Sequence, residues 1–229
     1  MKKGGEVSLS KQMASQNPSS NGTDYKSYTS AGVLFTNGIH VLAGYQPNKK
    51  NGPVIMGIGG TRDATDTSYL HTALREAVEE LLDIDPEIKE QISESLLKEL
   101  NDNLPPLSHF IHKGYVTLIY SFEQLERLLK IVNESKHSDV LKTKISKKEL
   151  YEKFPLTLEE LVFRRKRVES AEIRQFVILP LECSQIYKYF LTDLKMALEH
   201  LNLEKVKKEK SNRLSMRRTV ISKIGKYSF

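Results

Sequence analysis

The 229 residues predict a mixed α/β domain, a mixed β-sheet with helices on both faces and extra helical insertions. Two observations carry this. Strand-like runs alternate irregularly with segments whose apolar residues recur every three or four positions, and no internal repeat organises them. The composition, 39% hydrophobic and 28% charged, suits one globular domain with extensions. No run approaches the roughly 18 unbroken apolar residues of a membrane span.

Residues 1–24 are rich in Ser, Asn, Gln and Gly and are expected to be disordered; a domain is expected over 25–203. Order begins near Tyr28. Ala31 to Thr36, Asn37-Gly38 and Ile39 to Ala43 read as a hairpin on a tight type I′ turn. A third strand is expected from Pro53 to Ile58, ending in the pair Gly59-Gly60. From Thr67 to Leu82 the period becomes helical: Leu70, Ala73, Leu74, Ala77, Val78 and Leu81 share a face. A second amphipathic helix is predicted over Glu87–Leu100 on Ile88, Ile92, Leu96 and Leu100. Tyr115 to Phe122 is the clearest strand. Helices follow near Glu123–Asn133 and Leu156–Phe163, a strand at Ile173–Leu179, and a helix at Ile186–Leu201.

Charge is unevenly placed. From Glu204 to Lys226, nine Lys/Arg stand against two Glu, so this segment carries +7 and the rest −1 of the total +6. A basic extension over 204–229 suits a polyanion such as RNA; a solubilising tail fits the same composition. The single cysteine, Cys183, excludes an internal disulfide and a cysteine-built zinc site. The Met-Lys-Lys start runs into polar residues with no apolar core. A cytoplasmic setting is the expectation.

The chemistry lies on the first helix. Glu76, Glu79 and Glu80 stand at i, i+3 and i+4 and project from one face, where like charges repel. A cation relieves that repulsion, and hard oxygen ligands in this number favour Mg²⁺ or Mn²⁺, ions that also bind substrate phosphates. Arg75 can pair with Glu79 four residues on. Gly59-Gly60 lets the backbone approach an ion and offer it a carbonyl. A solvated acidic helix face is the competing account of the same pattern.

Arg75-Glu-Ala-Val-Glu-Glu80 resembles the Arg-Glu-aliphatic-x-Glu-Glu core of the Nudix box, and the order of elements over residues 28–200 is similar to that family's. The resemblance implies an α-β-α sandwich and a hydrolase that cuts a diphosphate linkage in a nucleotide-derived substrate. It implies a metal held by Gly60 (through its carbonyl), Glu76, Glu79 and Glu80, with Arg75 orienting a glutamate. The basic extension and Arg164–Arg167 point to a large polyanion, with capped RNA the leading specific substrate. Compact family members with such insertions recur among cap-removing enzymes and in large DNA viruses. Nucleoside triphosphates, dinucleoside polyphosphates and diphosphoinositol phosphates are the small-molecule alternatives.

The pattern departs from the family's in the loop. Its glycine position falls on Thr61, and a one-residue insertion restores Gly60, with Asp66 the nearest acidic substitute. Leu82 replaces the usual glycine and Asp83 an aliphatic residue. An additional carboxylate is expected from Glu172, with Glu169 and Glu123 as competitors. Catalytic roles fall on Arg75, Glu76, Glu80 and Glu172. Arg62, Arg164, Arg165 and Arg167 are the candidate substrate-binding cations, the last three equally readable as a solvated charge run. His71 could reach substrate or lie on the surface, and His109 and His112 read as structural. The alternative function is a Nudix-fold protein that binds nucleotide or RNA without turnover.

Overall fold

The computed structural model describes residues 28–47, 52–83, 94–135, 150–183, 186–187 and 189–202. The expected tail 1–24, the basic extension 204–229 and the start of the helix predicted at Glu87 lie outside them.

Seven strands form one mixed sheet: β1 (Ser30–Thr36), β2 (His40–Gln46), β3 (Val54–Met56), β4 (Ile58–Thr61), β5 (Ser108–His112), β6 (Tyr115–Ser121) and β7 (Gln175–Pro180). Strand β1 lies parallel to β6 along its whole length, from Ser30↔Tyr115 to Thr36↔Ser121. On its other edge it meets β2 only at Thr36↔Val41, and then the two diverge. The gap is crossed by β3 and β4. The first pairs with β2 at Gly44↔Met56, the second with β1 from Val33↔Ile58 to Ser30↔Thr61. Gly57 lies where the chain changes partner. A Cβ there would come within 3.0 Å of the Phe190 ring.

Alternation along β1 sends Val33 and Phe35 to one face and Leu34 to the other. The first face carries α1 (Tyr69–Leu82), α2 (Glu94–Asn103), α3 (Phe122–Glu134) and α4 (Leu158–Phe163). The second carries α5 (189–202) through Phe190, Leu194 and Ala197. Helices therefore cover both faces, as the periodicities predict. Helix α1 starts at Ser68, whose Oγ accepts from the His71 N–H, and ends at Asp83, left-handed at φ 50°. An N-cap of this kind is worth about 1 kcal/mol. Helix α3 opens on a reciprocal capping box between Ser121 and Gln124.

Three local expectations change. The Asn37-Gly38 turn is not type I′, because only Gly38 has positive φ. Asn37 instead accepts from the Ile39 and His40 N–H groups through its side chain, which closes a longer turn. The Gly59-Gly60 pair lies inside β4 instead of terminating a strand. Finally, β5 is a strand that the sequence pattern does not announce. It joins β6 through Lys113-Gly114, both at positive φ, the geometry of a two-residue hairpin turn.

Gly32 tests the packing that holds β1, β4 and β6 together. A Cβ there would overlap the Tyr115 hydroxyl and the Ile58 carbonyl oxygen. Gly32→Ala should destabilise the domain by about 1–3 kcal/mol in urea unfolding, the usual cost of overpacking. Adding Tyr115→Phe should restore only part of this, because the backbone oxygen remains.

Candidate functional site

Arg75 is 4% exposed, and every direction its guanidinium faces is acidic or carbonyl. Nε and Nη2 donate to the two oxygens of Asp66 at 3.0 and 2.9 Å, a bidentate pair. Nη2 also reaches the Thr61 carbonyl at 3.0 Å. Nη1 donates to Glu76 at 2.9 Å and to both oxygens of Glu79 at 3.0 and 3.1 Å. The expected Arg75–Glu79 pair is thus present within a larger network. Asp66, the acidic substitute, is its anchor and also accepts from the Asp63 N–H and the Thr72 hydroxyl. Burial alone would raise the Asp66 carboxyl. Donation from Arg75, Asp63 and Thr72, with the Arg75 charge, outweighs that and holds it below the usual carboxylate range.

Glu80 turns the other way, into the gap between β1 and β2. Its Oε2 accepts from the Gly59 N–H at 2.7 Å and its Oε1 from Gln46 Nε2 at 3.3 Å. Gln46, at the end of β2, is buried, and its Oε1 has no hydrogen-bond partner among the described residues. At Gly60 a Cβ would lie 2.5 Å from the Glu76 carboxylate, so any side chain there would push that carboxylate from its place. Gly59, at φ +150°, is required twice over, because a Cβ would strike both the Gly32 Cα and the Tyr115 hydroxyl.

The Tyr115 phenol is raised well above its ordinary value, first by burial and then by the charges of Asp193, Glu80 and Glu76. The charge of a further carboxylate, Asp193, is thus felt at this hydroxyl. Asp193 is on α5, three residues after Phe190 and four before Ala197, so it shares their sheet-facing stripe. Burial pushes it up to about 7.

Arg75 and the four carboxylates Asp66, Glu76, Glu79 and Glu80 together carry −3. The donor set for a cation is therefore hard oxygen: three glutamates, the Gly60 carbonyl and the unsatisfied Gln46 Oε1. Among the described residues no three acidic or His side chains converge tightly enough to hold an ion as they stand. Glu76 and Glu79 are turned onto Arg75, and Glu80 onto Gly59.

The predicted cations separate. Arg62 stays beside the network, its guanidinium 4.7 Å from the centre of the Tyr28 ring and donating to the Asp66 carbonyl. Arg164 is exposed and paired with Glu160 at 2.8 Å, and Arg167 donates to Gln175. Arg165 is buried, which corrects its assignment to substrate. Its donors go to the Ile173 and Leu81 carbonyls and the Tyr151 hydroxyl, and its charge lies over the Tyr151 and Phe176 rings. It ties the end of α1 to the chain entering β7. Glu172 is exposed, with its N–H on Asp83 at the C-terminus of α1. Glu169 and Glu123 are exposed as well. His71 accepts from the Thr67 N–H. Sequence reasoning passes over Gln46, Tyr115 and Asp193. The available signal is an aspartate inside the apolar stripe of Phe190, Leu194 and Ala197.

Asp66→Asn should cost about 2–4 kcal/mol near neutral pH, since it strips a buried guanidinium of its bidentate partner. The depressed Asp66 carboxyl contributes stability that is present above its unfolded value of 3.8 and lost as pH falls through its folded value. Chemical denaturation across pH should therefore show wild type and variant converging below about pH 4.

No protein-family model matches this sequence and no curated protein matches it, so the chemistry of the site is argued from its own residues.

Proposed function

We propose that this protein is a Nudix-type hydrolase that cuts a diphosphate linkage in a nucleotide-derived substrate, with Mg²⁺ or Mn²⁺ as cofactor. The observation that carries this is the acidic face of α1, threaded by one arginine and laid against two glycines of β4 in the gap between β1 and β2. Glu76, Glu79, Glu80 and the Gly60 carbonyl would hold the cation, which supplies phosphoryl polarisation and a more acidic bound water. Arg75 does the positioning. It keeps Glu76 and Glu79 together against their mutual repulsion, and Asp66 keeps Arg75 in place. Arg62, exposed beside the network, is placed to bind a substrate phosphate. Capped RNA is the leading substrate, because the basic segment 204–229 suits a long polyanion.

A second interpretation, nucleotide or RNA binding without turnover, is favoured by one observation: Glu76 and Glu79 are both engaged by Arg75. Metal-dependent product release from nucleoside diphosphate derivatives and capped RNA separates the two.

Glu79→Gln and Glu80→Gln should each remove most activity while the fold is retained. Mg²⁺ or Mn²⁺ at about 100 times its dissociation constant should stabilise wild type by about 2.7 kcal/mol. A Glu76/Glu79/Glu80→Gln triple variant should show no such gain. Equal gains in both proteins would place the ion elsewhere and leave the binding interpretation.

Truncation after Leu203 should leave hydrolysis of a small nucleotide diphosphate unchanged and weaken RNA binding. The slope of log affinity against log salt should fall by about 0.7 for each single-strand phosphate that the segment no longer neutralises. An unchanged slope would make the segment a solubilising extension.

A further inference from the structure

Phe163 is the most exposed large apolar side chain among the described residues, at 76%. Helix α4 is short, capped by Thr157 on the Glu160 N–H and closed by the Arg164 N–H on the Glu160 carbonyl. Leu161 and Val162 take its buried positions, which leaves Phe163 in water. A solvated ring is unfavourable, and nothing in α4 needs one at its last position. The next three residues are cations whose exposures alternate. Arg165 turns inward onto the Leu81 and Ile173 carbonyls, while Arg164 and Lys166 stay exposed on either side of it. The Lys166 N–H donates to the Leu150 carbonyl at 2.8 Å, so the segment is fastened through side chain and backbone alike.

Arg164 and Lys166, with Glu152 and Lys153 from the stretch before α4, line a cleft of about 370 Å³. That is near the low end of the roughly 300–1,000 Å³ of ligand clefts, room for sugar and phosphate units and not for a folded element. Three cations and one carboxylate line it. Glu152 answers Lys166 at 3.5 Å and Glu160 answers Arg164 at 2.8 Å, surface pairs of the kind that contribute little. Lys153 has no ionic partner among the described residues. The Arg165 bond to the Leu81 carbonyl falls one residue past Glu80, so the cleft stands at the C-terminal end of α1.

We propose that Phe163 and this cleft form a platform for single-stranded nucleic acid. One base lies on the exposed face of the ring, and neighbouring backbone phosphates lie on Lys153, Arg164 and Lys166. A base needs a flat apolar face and a phosphate needs a cation, and here the two are consecutive residues, Phe163 and Arg164. A duplex fits less well, because its bases stack on one another and are closed to a ring. An acidic peptide would use the cations and leave the ring unmatched. A membrane surface calls for a wider apolar face than one side chain. The platform is separate from the cation site and does not depend on hydrolysis there.

The test titrates the full chain, without metal, with a fluorescent uncapped strand of about 12 nucleotides, within the site sizes of such grooves. The strand is supplied as RNA, as DNA and as duplex RNA. Phe163→Ala is expected to weaken single-strand binding about tenfold, within the range for one stacked base, with its salt dependence unchanged. Phe163→Tyr should restore the affinity and Phe163→Leu should not, which separates stacking from bulk. A Lys153→Ala/Lys166→Ala protein should lose about 1.4 from the slope of log affinity against log salt, about 0.7 for each phosphate. Duplex binding should be indifferent to Phe163→Ala, and melting temperatures should match wild type because the positions are exposed. A strand carrying iodouridine should cross-link on irradiation to a peptide containing Phe163. Tighter binding of RNA than of DNA, or the reverse, identifies the natural strand. Wild-type affinity in Phe163→Ala overturns the proposal, as does a cross-link confined to residues 204–229, and either leaves the function proposed above standing. Binding to phosphatidylserine vesicles or polyglutamate that falls with Phe163→Ala while RNA binding does not also overturns it, assigning the surface to a membrane or an acidic protein. Absence of turnover on every nucleotide substrate removes the hydrolase and leaves the platform.

Discussion

A guanidinium taken out of water has to be answered on every side, and Arg75 shows how far that requirement reaches. Its partners come from the loop before α1 (Asp66), from β4 (the Thr61 carbonyl) and from α1 itself (Glu76 and Glu79). Losing one partner of such a buried cation typically costs about 3–5 kcal/mol, so loop, strand and helix cannot drift independently. The bidentate fork of Arg75 on Asp66 is also geometrically demanding, and a lysine could not reproduce it. The stretch from Thr61 to Tyr69 is consequently held from its middle, by a side chain that arrives from the following helix.

The second constraint is the divergence of β1 and β2. Two strands that separate leave backbone donors and acceptors without partners, and such groups must be satisfied if buried. Most are taken up by the crossing of β3 and β4. The Gly59 N–H, which faces away from β1, is taken up by Glu80. The acidic residue that completes the sheet is therefore the same one that faces the proposed cation site. Structure and chemistry compete for one carboxylate here, and the competition explains why Gln46 lies alongside as a second, weaker donor to it.

Much of this could be seen in the sequence, and the reasons for the rest are physical. Helix α1, β6, α3 and β7 follow from strong periodicity, and the Arg75–Glu79 pair from spacing along one helix. What failed was whatever depends on partners distant in the chain. Arg165 reads as one cation in a charged run, yet it is buried because Leu81 and Ile173 present carbonyls to it. Gly59-Gly60 reads as a turn, yet it is strand because β1 lies beside it. Strand β5 is obscured by two histidines, and its turn, Lys113-Gly114, is a less obvious signal than Asn-Gly. Asp193 needs the position of α5 before its place on an apolar stripe acquires meaning.

The pairing of β1 has a consequence for how the chain acquires its shape. Ser30 meets Tyr115, and His40 meets Pro180, so both strands of the first hairpin wait for partners made much later. Pairings this remote close large loops before any contact repays the entropy, and they slow folding more than they limit stability. During synthesis the outer edge of β2 stays open until residue 180 has left the ribosome. An open strand edge invites pairing with another chain. The hazard in producing this protein is therefore concentrated in the nascent hairpin, before the acidic site exists at all.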